Sequence, residues 1–140
     1  MAIFLDTGFY FALLAKRDPH HNRAEILFPQ VAAWEFGRPM TSDYILDEAM
    51  TLISTRVKGE KRFLLKKMQD LFLGEEPIGY LVHIDSDWLP EIANLHQKLT
   101  TSDPAPSFTD CSNIIACQKY GIDKILSFGQ HFEGFVTQIR

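Results

Sequence analysis

Three acidic residues, Asp6, Glu48 and Asp110, carry the strongest chemical signal in this sequence. Asp6 ends the apolar run Ala-Ile-Phe-Leu, so its carboxylate is expected at the carboxyl end of a buried strand, where α/β sites form. It is also well placed to cap a helix starting at Thr7 or Gly8. Glu48 falls at the edge of the apolar arc of a helix expected over 43–57, whereas Asp47 falls nearer the polar side with Asp43, Thr51 and Ser54. A carboxylate at the edge of a buried face needs a partner. A metal ion and an arginine both qualify, and helix geometry does not choose between them. Asp110 closes Ser107-Phe108-Thr109-Asp110, a pattern resembling a capping box. Capping and catalysis explain that position equally well, and one residue can do both. As a set, the three acids begin or line three helices, each soon after a candidate strand. Hard oxygen donors without Cys or His suit Mg²⁺ or Mn²⁺. Two such ions can activate a water and support the leaving oxygen of a phosphodiester.

Other reactive residues offer less. His20 and His21 follow the Asp18-Pro19 break and read as surface residues, His83 alternates within a strand, and His96 sits on a helix. His131 lies in a late connection from which the acids are within reach. Cys111 and Cys117 are six residues apart in one helical pattern, roughly 9 Å between Cα atoms, too far for a disulfide. They read as small buried side chains. No glycine-rich phosphate loop is present. Leu5-Asp6-Thr7-Gly8 faintly resembles the start of haloacid-dehalogenase-type phosphatases, but Gly8 stands where those enzymes carry a second Asp.

These residues need a scaffold. Strands are expected at 2–5, 39–42, 80–84, 123–128 and 135–139, and helices at 7–16, 20–36, 43–57, 60–73, from Asp85 or Ser86 to about 99, and 108–120. Pro29 predicts a kink or two shorter helices within 20–36. In the helix at 60–73, Phe63, Leu64, Met68, Leu71 and Phe72 are expected inward. Gly121 is a natural C-terminal cap. Short apolar strands alternating with helices imply an α/β fold whose parallel sheet is covered on both faces.

The 140 residues suit a single domain, 1–140. With 46% hydrophobic and 23% charged residues the chain has the balance of a soluble protein. No apolar run reaches the length of a membrane span, and the N-terminus does not read as a signal peptide, so a cytoplasmic location is expected. A net charge of −4 argues against coating nucleic acid through bulk charge. The charge is uneven, however: Arg56, Lys58, Lys61, Arg62, Lys66 and Lys67 face a lone Glu60. Such a segment is either a solvated helix face or a local grip on a phosphate backbone, with Lys58, Lys61 and Arg62 the candidate contacts.

Four stretches together resemble the PIN-domain family, in particular the VapC-like toxin ribonucleases. Ile3-Phe4-Leu5-Asp6-Thr7-Gly8-Phe9 is similar to the first motif, and Thr41 to Glu48 (TSDYILDE) to the second. Ser107 to Cys111 resembles the third, and Lys124 to Phe132 (KILSFGQHF) the fourth. The resemblance runs along nearly the whole chain. It implies a three-layer α/β/α sandwich around a central parallel sheet, with Glu48 rather than Asp47 as ligand beside Asp6 and Asp110. It further implies a homodimer, Mg²⁺- or Mn²⁺-dependent cleavage of an RNA substrate, and neutralisation by a small antitoxin protein. Gly129 stands where the family commonly carries a fourth acid. One cation is therefore expected to bind and a second to bind weakly. The rival expectation is a PIN-like module that binds RNA or protein without catalysis. Large apolar residues on the helices, among them Phe9, Phe11, Phe63 and Phe72, are expected to exceed what one core buries and to supply the dimer contact.

Overall fold

A computed structural model describes residues 1–140. Five strands, β1 (Ala2–Leu5), β2 (Arg38–Ser42), β3 (Tyr80–Val82), β4 (Lys124–Leu126) and β5 (Thr137–Ile139), form one sheet in the order β3-β2-β1-β4-β5. Every pairing is parallel. The central strand β1 is buried along Ile3, Phe4 and Leu5, which is why its sequence is continuously apolar rather than alternating.

Helices α1 (Thr7–Leu14) and α2 (His21–Ala32) link β1 to β2, and α3 (Asp43–Arg56) and α4 (Lys61–Leu73) link β2 to β3. A short 3-10 turn, α5 (Leu89–Leu99) and α6 (Phe108–Tyr120) carry the chain back across the sheet to β4. Right-handed crossovers moving outward and then back must place their helices on opposite faces. Accordingly α1 to α4 pack on one another and α5 packs on α6, giving three layers. The direction of travel reverses beside β1, between β1 and β4, and the crevice at the carboxyl ends of those strands is where such sheets bind ligands.

Local signals explain the element ends. Ser42 Oγ accepts from Ile45 N at 3.3 Å to start α3, and Gly121 closes α6 at φ 64°. Asp43 accepts from Ile84 N at 3.0 Å, tying α3 to the end of β3.

Three expectations are corrected. Pro29 does not split its helix: α2 runs unbroken from His21 to Ala32, and proline near its end forfeits a single backbone bond, to the Glu25 carbonyl. Phe63 is 57% exposed rather than inward, because the buried side of α4 is carried by Met68 and Phe72. His21 is half-buried, with Nδ1 2.6 Å from the Ala12 carbonyl oxygen, so it joins α2 to α1.

A candidate acidic site at the switch point

Asp6 follows β1 directly, and its backbone N–H bonds across the crevice to the Leu126 carbonyl at the end of β4, at 3.1 Å. Its side chain is almost fully buried and accepts three hydrogen bonds. Thr7 N (2.8 Å) and Asn113 Nδ2 (3.1 Å) donate to Oδ1, and the Ser127 hydroxyl (2.7 Å) donates to Oδ2. Burial nevertheless raises its pKa to about 6; Ser127 and the Thr7 amide oppose the rise, while Asp110 and Glu48 add to it.

Glu48 is half-buried in the second turn of α3, whereas Asp47 is exposed. Burial raises the Glu48 carboxyl above its usual range, and repulsion from Asp110 and Asp47 adds to the shift. The Thr7 hydroxyl faces Glu48 and opposes the rise, though its geometry stops short of a full hydrogen bond. Glu48 forms no ion pair. Arg56 acts on it only at a distance, so the arginine alternative to a cation has no candidate.

Asp110 occupies the first turn of α6. Ser107 N donates to its Oδ2 and Asp110 N donates to Ser107 Oγ, both at 3.0 Å, completing a reciprocal capping box. The capping reading of this position holds. Asp110 caps its helix, and its charge reaches Asp6, Glu48 and Cys111. His131 Nε2 stands 3.9 Å from Asp110 Oδ2.

The fold thus brings the three acids into one electrostatic neighbourhood, although no three His, Cys, Asp or Glu side chains already form a metal cage. The donor set still fits a hard cation. It is all oxygen, the carboxylates repel one another, and two neighbouring buried oxygens, Asn113 Oδ1 and Thr7 Oγ1, have no hydrogen-bond partner.

Sequence reasoning missed Asn113 and Ser127. Asn113 lies one turn after Asp110 on α6, whose residues 111–117 are all buried, and an amide in such a run is itself a signal of a polar partner. Ser127 ends an apolar strand as Asp6 does, and the same logic applies to it. Cys111 and Cys117 are free and buried, their thiols pushed up to about 11 and about 12 by burial. Lys58, Lys61 and Arg62 are exposed, and Lys58 lies beyond the end of α3, which rises roughly 12 Å from Glu48 to Arg56.

No family model matches the chain. A VapC ribonuclease of Archaeoglobus fulgidus is 30% identical over 64 residues, covering 46% of this chain and 41% of that protein. The match thus spans about two fifths of the relative's length. The crystal structure of Mycobacterium tuberculosis VapC20, described as a Sarcin-Ricin loop cleaving toxin, superposes with a TM-score of 0.74 at 25% identity, covering 96% of each chain. This chain is VapC-like and has the PIN-domain fold. FitAcB of Neisseria gonorrhoeae shares the fold alone, with a TM-score of 0.65 at 13% identity over 99% of this chain and 96% of that one. In this VapC-like chain Asp6 directly follows β1, Glu48 lies on α3 and Asp110 on α6, and Ser127, directly after β4, bonds Asp6.

Proposed function

We propose that this chain, acting as one domain over 1–140, is a metal-dependent endoribonuclease and the toxin of a toxin–antitoxin pair. The observation that carries the reading is a buried Asp6 whose charge is opposed by Asp110 and Glu48 and matched by no cationic side chain. Asp6, Glu48 and Asp110 would hold Mg²⁺ or Mn²⁺. When bound, the cation supplies polarisation of the phosphodiester and of the attacking water. Ser127, Asn113 and the Thr7 amide keep Asp6 oriented, and Asp110 stays tied to Ser107, so the donors are held before substrate arrives. His131, beside Asp110, is positioned to exchange a proton with groups at the site's rim. Lys58, Lys61 and Arg62 would meet an RNA long enough to extend beyond the acids.

Partners remain part of the proposal. Phe9, Phe11 and Phe72 lie in the core and offer nothing to a dimer; Phe63 alone of the four expected residues is exposed. Exposed Phe63, Leu73, Ile26 and Trp34 leave apolar surface for a second copy or a small antitoxin. No helix is long and apolar enough to cross a membrane, and we place the protein in the cytoplasm with its RNA.

Gly129 favours a second reading, a catalytically weak module that binds RNA or protein. Cleavage of mixed RNA with Mg²⁺ or Mn²⁺, with EDTA, and with Asp6→Asn decides between them. The enzyme reading expects cleavage that both chelation and the substitution abolish. No cleavage with either metal supports the second, and cleavage indifferent to both overturns the metal-dependent reading.

A further inference from the structure

We propose that Gln138, on the edge strand β5, is a positioning residue for Asp6, acting through the turn that contains Gly129. The inference rests on the proposed role of Asp6 in holding a cation. Gln138 Nε2 donates to the Ser127 and Gly129 carbonyl oxygens, both at 2.7 Å. Two carbonyl oxygens facing one amide group fix its orientation, since the amide oxygen would be repelled there. Ser127 N also donates to the Ile139 carbonyl at 3.1 Å, so residues 138 and 139 grip both polar groups of the Ser127 backbone.

The turn closed in this way brings Gly129 N–H onto Ser127 Oγ at 3.0 Å. A serine hydroxyl carries one hydrogen. With Gly129 N–H engaging an oxygen lone pair, that hydrogen is directed to Asp6 Oδ2 at 2.7 Å. The other carboxylate oxygen is held from α1 and α6 by Thr7 N and Asn113 Nδ2. Asp6 is thus gripped from both sides of the switch point, and Gln138 anchors the β4–β5 side. A Cβ at position 129 would stand 3.3 Å from Ser127 Oγ, a tight contact. Glycine leaves the main-chain amide free to orient the hydroxyl without that crowding.

The test uses the full chain with Gln138→Met, which keeps the bulk and removes both donors, and Gln138→Glu, which turns an oxygen toward the two carbonyls. Thr137→Ala, an exposed neighbour on β5, is the control. Two-dimensional NMR of the metal-free protein reads hydrogen exchange at the Gly129 amide and the Asn113 side-chain NH₂ signals, with slow exchange at Phe4 and Leu5 reporting an intact sheet. Both variants should speed Gly129 exchange about tenfold or more and move the Asn113 signals. Titration with Mn²⁺ alone should then show affinity lowered by about tenfold, the scale expected when a ligand's support is lost. Unchanged Gly129 exchange overturns the proposal. So does a loosened turn with unchanged Mn²⁺ affinity, which leaves Gln138 a purely structural role. Wild-type protein that binds no Mn²⁺ instead overturns the metal-site reading, while the NMR comparison still decides whether Gln138 orders the turn.

Discussion

At the scale of single residues the central tension is a carboxylate buried beside two others. The Asp6 pKa of about 6 stands above the ordinary aspartate value of 3.8. A raised carboxyl binds its proton more tightly folded than unfolded, so metal-free stability falls as pH rises from about 4 to about 6 and stays lower above that. The difference amounts to roughly 3 kcal/mol. Chemical unfolding without metal should therefore show greater stability at pH 5 than at pH 7, and Asp6→Asn should flatten the dependence while raising stability at pH 7. A wild-type profile that climbs between pH 4 and 6 would contradict the burial of an unpaired charge. Gly129 belongs to this scale too. If it occupies the place of a fourth acid, and Ser127 gives way to a Cβ 3.3 Å from its hydroxyl, Gly129→Asp should tighten Mn²⁺ binding and speed RNA cleavage. Equal affinities and rates, measured by calorimetry and a cleavage assay, would place that position outside the metal site.

At the scale of elements, each acid is delivered by the local rule that also starts or lines its helix. Ser107 and Asp110 cap α6 reciprocally, so Ser107→Ala should cost about 1 kcal/mol and lower the melting temperature by roughly 3–5 °C. The Asp110 carboxylate keeps its bond from the Ser107 main-chain N–H in this variant, so Mn²⁺ affinity should change little. A melting temperature that does not fall would contradict the cap. This double use explains what the sequence revealed and what it withheld. Continuous apolar runs and helix caps are local signals, and they placed β1, α3, α6 and the three acids close to where the structure has them. Ser127 and Gln138 acquire meaning only when β4 and β5 pair beside β1, and Asn113 only when α6 lies over Asp6; those contacts span up to 121 residues of sequence. The inward placement of Phe63 failed because α4 packs on α1 and α3 along a narrow stripe that includes Met68 and Phe72. The unbroken α2 shows that a proline near a helix end need not terminate it.

At the scale of the molecule, the proposed function requires an acidic protein of net charge −4 to approach polyanionic RNA. Under that proposal the acidic site repels substrate until a cation is bound, and the exposed run around α4 offers the compensating charge. Replacing Lys58, Lys61 and Arg62 together with alanine should weaken RNA binding and reduce its salt dependence by up to about three counterions. An unchanged salt slope would mark the run as a solvated face. The claim on which all else depends is that Asp6, Glu48 and Asp110 together hold a cation. Mn²⁺ titration calorimetry on the wild type and on Asp6→Asn, Glu48→Gln and Asp110→Asn tests it most directly. The wild type should bind one ion, with affinity falling at least about tenfold in each variant. Affinity indistinguishable from wild type in all three would contradict it.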